Sequence, residues 1–397
     1  MKKIAFITCG HTGATLPLAK ELLSLGHKVD FYFLFGKNGN SEKHKIEAMS
    51  LGDFPNKKGL HQIETKHYKE LEEYMNSDSF RMLYICTTRP FKKIPFLRGI
   101  IKLWRYIEYK HIFKSLKKEK YDLINLVGRI DCDDFLFFHK MLDNKIVTSL
   151  HEVCNHWNPD FKSSPPILKY LFSKGKDIVV HSNNSYKDIL KYKDVDKDKI
   201  HHINFGTFET FKTLHGFLNI EMPQNYILFF GAIRPYKGLT CLLDAIKKHP
   251  DCLGDNKLVI AGSGFDDSLS EFKEMENVIV INRYIQNEEV VHLLEHCKFV
   301  VCPYLTMSQS GLPQTIYAFR KPIIASDLDG FKEVIIDKKI GLLFKTKDCD
   351  ELANAIKSLS SDKNLYDSMV DNINNFENTN KVFSWSYIAK QYLELIN

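Results

Sequence analysis

Arg234 and Lys237 stand three positions apart in the run Gly231-Ala-Ile-Arg-Pro-Tyr-Lys-Gly238-Leu239. A guanidinium offers a planar fork of donors and an ammonium offers a point charge, and together they suit a diphosphate. The run follows the apolar stretch "YILFF" and precedes "LTCLLDAIKKH". The two cations therefore fall where a strand hands over to a helix, the edge of an open α/β sheet at which ligands bind. A solvated basic turn is the plain alternative. A second candidate is Ser308-Gln309-Ser310-Gly311, directly ahead of Leu312 and the helical pattern "LPQTIYAF". Pro313 fits a first helical turn, where a missing N–H costs nothing. The open amides of such a turn attract an anion, and Gly311 would let one approach the backbone. Carboxylates would repel it, and none occurs between Ser308 and Arg320. An ordinary serine N-cap is the competing reading. A third candidate is "AGSG", Ala261 to Gly264, where Gly262 and Ser263 close another strand at the same edge. Those glycines serve either close ligand approach or a simple strand-to-loop turn.

The first half offers less. "TCGHTG", from Thr8 to Gly13, is a glycine loop after the first strand, but it lacks the G-x-G-x-x-G order of a dinucleotide site. "TSLHEV" puts His151 and Glu152 at the carboxyl end of a strand. An imidazole there could donate to a hydroxyl or carbonyl, or simply be satisfied by its neighbours. Residues 91–120 hold ten Lys and Arg against two Glu, interleaved with Phe, Ile, Leu and Trp104. A basic amphipathic helix of this kind reads as a membrane-surface element, or as the wet face of a packed helix. "DCDD", Asp131 to Asp134, precedes an apolar helix and reads as an N-cap cluster.

The elements that must position these residues alternate. "KIAFITCG", "VDFYFLF", "YDLINLVG", "KIVTSLHE" and "DIVVHSN" are short, apolar and β-rich, with helical patterns such as "ATLPLAKELLSLGHK" between them. A polar stretch from His202 to Gln224 interrupts the series. It resumes with "NYILFFGAI", "NKLVIAGSG", "VIVINRY", "KFVVCPY" and "KPIIASD", and ends in the amphipathic helix "WSYIAKQYLELIN". Unalternating apolar strands between helices predict parallel, doubly wound sheets. The 397 residues exceed one core, so two α/β domains are expected, 1–203 and 222–382. A net charge of +6 is too small to call for nucleic acid, and suits anionic small ligands or an anionic membrane surface. Nine cysteines without a C-x-x-C pair suggest neither zinc nor a redox motif. With no signal-like start and no apolar run of about 18 residues, a reduced cytoplasmic protein is expected.

With these pieces placed, the chain resembles the GT-B glycosyltransferases, and within them family 4, the glycosyl transferases group 1. The resemblance rests on "FFGAIRPYKGL", "LVIAGSG" and "CKFVVCPYLTMSQSGLPQTIYAFRKPIIASDLDGFKEVI", in that order. It implies two Rossmann-like domains facing a cleft, with a C-terminal helix, about 383–397, returning to the first domain. The second domain would bind a nucleoside diphosphate sugar as donor, and the first a glycan or lipid-linked acceptor. Arg234 and Lys237 match the family's diphosphate-binding pair, and His151 its histidine near the transferred sugar. Gly13, Gly231, Gly262, Ser263, Gln309, Ser310, Gly311 and Leu312 join them as donor-binding candidates. Retention of anomeric configuration, no metal and no cofactor beyond the donor are further implications, as is a place in bacterial surface polysaccharide or glycolipid synthesis. Many members carry two glutamates eight positions apart where this chain has Met307/Ser308 and Thr315/Ile316. The family's ribose contact therefore does not carry over. A sugar-nucleotide epimerase and a silent carbohydrate-binding subunit stay open as alternatives.

Overall fold

The computed structural model describes residues 1–8, 12–37, 45–46, 49–50, 59–64, 72, 75, 77–88, 98–128, 134–151, 153, 164–307, 311–375 and 383–396. The chain divides into two units, Met1–Gly206 with Trp385–Asn397, and Thr207–Ser384.

The first unit contains β1 (Lys3–Thr8), β2 (Lys28–Lys37), a small hairpin of β3 (Lys45–Ile46) and β4 (Met49–Ser50), β5 (Leu60–Ile63), β6 (Phe80–Thr88), β7 (Leu123–Gly128), β8 (Ile146–Leu150), β9 (Ile178–Val180) and β10 (Ile200–His202). Eight of these form one sheet in the order β10-β9-β8-β7-β1-β2-β6-β5. Every pairing in it is parallel except that of β5 with β6. Both faces are covered. Phe6, Phe31, Phe33 and Leu22 pack on one side with Ile388, Ala389 and Tyr392 of the last helix, Trp385–Glu394. Ile7, Tyr32, Leu126, Ile112 and Phe138 fill the other side. Burial on two faces is why these strands carry no in–out alternation.

Two expectations change here. Gly13 is not in a loop: it lies buried in the first turn of the helix Thr12–Ser24. Asp134 occupies the N-cap position of the helix Phe135–Met141 without capping it, because its carboxylate accepts a hydrogen bond from the Tyr109 hydroxyl at 2.8 Å. Asp131 and Asp133 lie outside the described residues. The helix Arg98–Glu119 packs along part of its length and is exposed along the rest. Tyr109, Ile112, Phe113 and Leu116 are buried, whereas Leu103, Trp104, Tyr106 and Ile107 are exposed, Leu103 by 63%. Lys92 and Lys93 fall outside the described residues. No helix among the described residues is long and apolar enough to cross a membrane.

The second unit holds β11 (Tyr226–Phe230), β12 (Lys257–Gly262), β13 (Val278–Asn282), β14 (Val300–Cys302), β15 (Ile323–Ser326) and β16 (Gly341–Phe344), in the order β13-β12-β11-β14-β15-β16. All pairings are parallel. The chain winds outward from β11 to β13, then returns to the other side of β11 with β14. The loops after β11 and β14 thus part at a topological switch point, where open α/β sheets bind ligands. The polar stretch between the two expected domains is built into this unit from Thr207 onward. The Phe208 amide donates to the Gln314 carbonyl at 3.1 Å, and the Phe217 amide to that of Glu288 at 3.0 Å.

Candidate functional site

The turn after β11 brings its two cations together by local geometry. Pro235–Lys237 forms a single 3-10 turn that closes at Gly238, and the Lys237 amide donates to the Arg234 carbonyl at 2.9 Å. Gly238 has φ of 73°, and a Cβ there would lie 1.9 Å from the Pro303 carbonyl oxygen. Only glycine satisfies both conditions. The loop after β14 is thereby drawn against the turn, and the Leu305 amide donates to the Tyr236 carbonyl at 2.7 Å. Lys237 Nζ folds back over this junction, 5.0 Å from the centre of the Tyr304 ring. It also lies 3.0 Å from the point where a side chain at Gly231 would begin. Gly231 thus makes room for an ammonium.

Lys237 is 8% exposed, and burial lowers its pKa, with the Arg234 charge adding to the effect and the Cys302 sulfur opposing it. Arg234 is exposed and its guanidinium donates to the Ile233 carbonyl at 3.3 Å. Among the described residues neither cation makes an ion pair with a carboxylate. A buried ammonium without a counter-ion is unfavourable until an anion joins it. The negative charge of an anion beside Lys237 would raise its pKa again.

The "AGSG" candidate sits beside this turn for a different reason. The Ile233 amide donates to the Ser263 carbonyl at 2.9 Å, and Ile233 bridges to Gly264. A Cβ at Gly262, whose φ is 157°, would lie 1.8 Å from the Gly231 carbonyl oxygen. The glycine serves close packing of two backbones. Asn282, at the end of β13, braces the loop from its far side: Asn282 Oδ1 accepts from the Gly264 amide, and Nδ2 donates to the Gly264 carbonyl, both at 3.2 Å. Ser263 is exposed at this edge.

The third candidate is partly in view. Ser308, Gln309 and Ser310 lie outside the described residues. Gly311 is the N-cap of a seven-residue helix, Leu312–Ala318. The space beside its α-carbon is taken by the Phe208 ring, since a Cβ would meet Phe208 Cε2 at 2.6 Å. The glycine here fits an aromatic ring from the polar stretch between the two expected domains. Leu312 is half-buried in the first turn. Sequence reading missed Tyr304, Asn282 and Phe208, each of which acts through a partner remote in the chain.

His151 lies in the first unit, just past β8, and is half-buried. Its ring stacks on Phe205 at 4.9 Å, and His181 stacks on the same ring at 4.0 Å. His181 Nδ1 donates to the Ile203 carbonyl at 2.8 Å, which fixes that ring's tautomer. Thr15, Ser149 and Asn204 line the small hollow next to the histidines. Ser149 donates to Asn125 Oδ1 at 2.8 Å and lies 3.0 Å from the Tyr392 hydroxyl, whose pKa burial pushes to about 12. A sheet residue and the last helix are thus tied together behind His151. Glu152 lies outside the described residues.

Comparison with known proteins places the architecture. The fold is GT-B. Anabaena HepE, solved in complex with UDP and glucose, matches with a TM-score of 0.60 and 14% identity over 99% of this chain and 99% of that one. Residues 210–376, most of the second unit, match the model of the family named glycosyl transferases group 1. An uncharacterized glycosyltransferase of Methanocaldococcus jannaschii is 30% identical over 190 residues, 44% of this chain and 50% of the relative. A Campylobacter jejuni enzyme, GalNAc-alpha-(1->4)-GalNAc-alpha-(1->3)-diNAcBac-PP-undecaprenol alpha-1,4-N-acetyl-D-galactosaminyltransferase, is 29% identical over 175 residues, 44% of this chain and 48% of the relative. The chain thus spans about half the length of the curated relatives it matches.

Proposed function

We propose that the protein transfers a sugar from a nucleoside diphosphate sugar to a glycan or lipid-linked acceptor, with retention of configuration and without a metal. The observation that carries this reading is Lys237, a buried ammonium next to Arg234 with no carboxylate partner among the described residues. As the sugar leaves, negative charge grows on the diphosphate, and two fixed cations at the switch point stabilise that charge more than they stabilise the substrate. Tyr304 and the backbone junction at Gly238 hold the ammonium in place. Gln309, Ser310, Gly311 and Leu312 are proposed to complete the donor site, and His151 to donate a hydrogen bond to the sugar. UDP bound to Anabaena HepE and the undecaprenol-linked substrate of the Campylobacter jejuni relative support these two substrate classes. A role in surface polysaccharide or glycolipid synthesis and a cytoplasmic location belong to the same proposal.

Calorimetry with UDP, GDP and ADP tests the donor site. One of them should bind to the protein and be lost in Lys237→Ala. No binding by any of the three to a folded protein would reject the reading. Product analysis with the matching sugar nucleotide then separates transfer from epimerisation, because an epimerase alters the donor with no acceptor present.

An anionic membrane surface is the proposed partner of the helix Arg98–Glu119, whose exposed Leu103, Trp104 and Ile107 adjoin its lysines. Liposome flotation measures it. Trp104→Ser with Ile107→Ser should weaken binding to phosphatidylglycerol vesicles, and equal binding by wild type and variant would rule the surface out.

A further inference from the structure

Two cysteines far apart in the sequence meet in the second unit. Cys241 is buried in the first turn of the helix Leu239–Lys248. Cys349 is the first residue of the helix Cys349–Ser361 and is half-buried. Their sulfurs lie 3.1 Å apart, although the residues are 108 positions apart in the chain. The Asp348 side chain accepts from the Glu351 amide at 2.9 Å and so fixes the turn that carries Cys349. A disulfide has its sulfurs about 2 Å apart, so bonding needs a closure of about 1 Å, within the reach of side-chain rotation. Among the described residues the other buried thiols, at Cys252, Cys297 and Cys302, have no such sulfur contact.

We propose that Cys241 and Cys349 are an oxidisable pair that a hydroperoxide converts to a disulfide, clamping the helix after the cation turn to the helix Cys349–Ser361. The inference stands apart from the assignment of sugar transfer. Division of labour follows from exposure. Cys349 is half-buried, so it is the sulfur a small oxidant can reach, and it opens a helix of 13 residues. Burial, the neighbouring Cys349 sulfur and the nearby Asp244 and Asp348 push the Cys241 thiol well up, so Cys241 stays protonated and is not the first to react.

In the first step the Cys349 thiolate attacks the terminal oxygen of the hydroperoxide. The O–O bond breaks, and the departing alkoxide takes a proton and leaves as the alcohol, or as water from hydrogen peroxide. Cys349 is now a sulfenic acid. In the second step Cys241 gives up its proton and its sulfur attacks the Cys349 sulfur. The S–O bond breaks, and the hydroxide takes that proton to leave as water. The sum is two thiols and one hydroperoxide giving one disulfide, one alcohol or water, and one further water.

The clamp would land four residues past Lys237. Closing so long a loop removes much freedom from the unfolded chain, so the oxidised form should melt roughly 5–10 °C above the reduced form. The test treats the full chain with hydrogen peroxide, blocks remaining thiols with iodoacetamide and maps the peptides. Expected is a cross-linked peptide pair joining Cys241 to Cys349, released by dithiothreitol. In Cys241→Ser, dimedone should trap Cys349 as sulfenic acid, whereas in Cys349→Ser, Cys241 should stay alkylatable. Recovery of both cysteines as alkylated thiols after oxidation, or Cys349 bonded to another cysteine, overturns the proposal. The wild-type map decides the matter even if a variant fails to fold.

Discussion

Each unit draws a cation inward, and the two treat it in opposite ways. In the first, Arg81 holds Asp30 through two bonds of 2.8 and 2.6 Å and also reaches Glu119. The Tyr121 hydroxyl donates to the same Asp30, which is 2% exposed, and hydrogen bonding to Asp30 raises the Arg81 pKa far above its ordinary value. In the second, Lys237 is buried among a tyrosine ring, a glycine and a thiol with no carboxylate among the described residues, and its pKa is lowered. The burial that carboxylates neutralise in the first unit has no carboxylate opposite it in the second, among the described residues. A paired buried charge holds a fold together, whereas an unpaired one is the basis of the proposed donor site.

Breaking the two cations should therefore give opposite phenotypes. Lys237→Ala should reduce sugar transfer by about 10²–10³-fold while leaving the melting temperature unchanged or higher, as an uncompensated buried charge is removed. Released nucleotide and a thermal melt together check this, and a large drop in melting temperature would return Lys237 to the structural class. Arg81→Met should instead destabilise the protein by about 3 kcal/mol, near the low end for a broken buried pair because the arginine side chain is 36% exposed. Denaturant unfolding measures that loss, and nucleotide affinity should not change.

A smaller effect sharpens the contrast by pH. His139 is buried with Nε2 2.8 Å from the Thr148 hydroxyl, and burial lowers its pKa from 6.5 to about 3. Between those values the unfolded chain binds a proton that the folded chain refuses. Stability should therefore fall as pH drops through that window, with a slope of up to about 1.4 kcal/mol per pH unit from this group alone. His139→Gln should flatten the slope in acid unfolding, and an unchanged slope would assign the acid sensitivity to other groups.

Much of this architecture is legible in the residues. Runs such as "IAFI", "LINLV", "YILFF" and "KLVIAG" have one period and one explanation, burial on both faces. The strands that escaped notice are those without that signature. β5 is "LHQI", at the sheet edge, and β10 is "IHH" inside a polar stretch. At the site, the two cations could be named from spacing, but their isolation could not, because a missing counter-ion is a fact about space. The roles of Gly231 and Gly311 were hidden likewise. Each glycine answers to a side chain elsewhere in the sequence, Lys237 in one case and Phe208 in the other.

The last helix has a consequence for how the molecule is made. Ile388, Ala389 and Tyr392 complete the apolar layer over β1 and β2, and Tyr392 bonds to Ser149. On a ribosome these residues emerge only after all of Thr207–Ser384. The part translated first must wait, with one flank uncovered, while the part translated second has every segment it requires. Birth order and order of completion are thus reversed, and the nascent chain should expose its earliest apolar surface for the longest time.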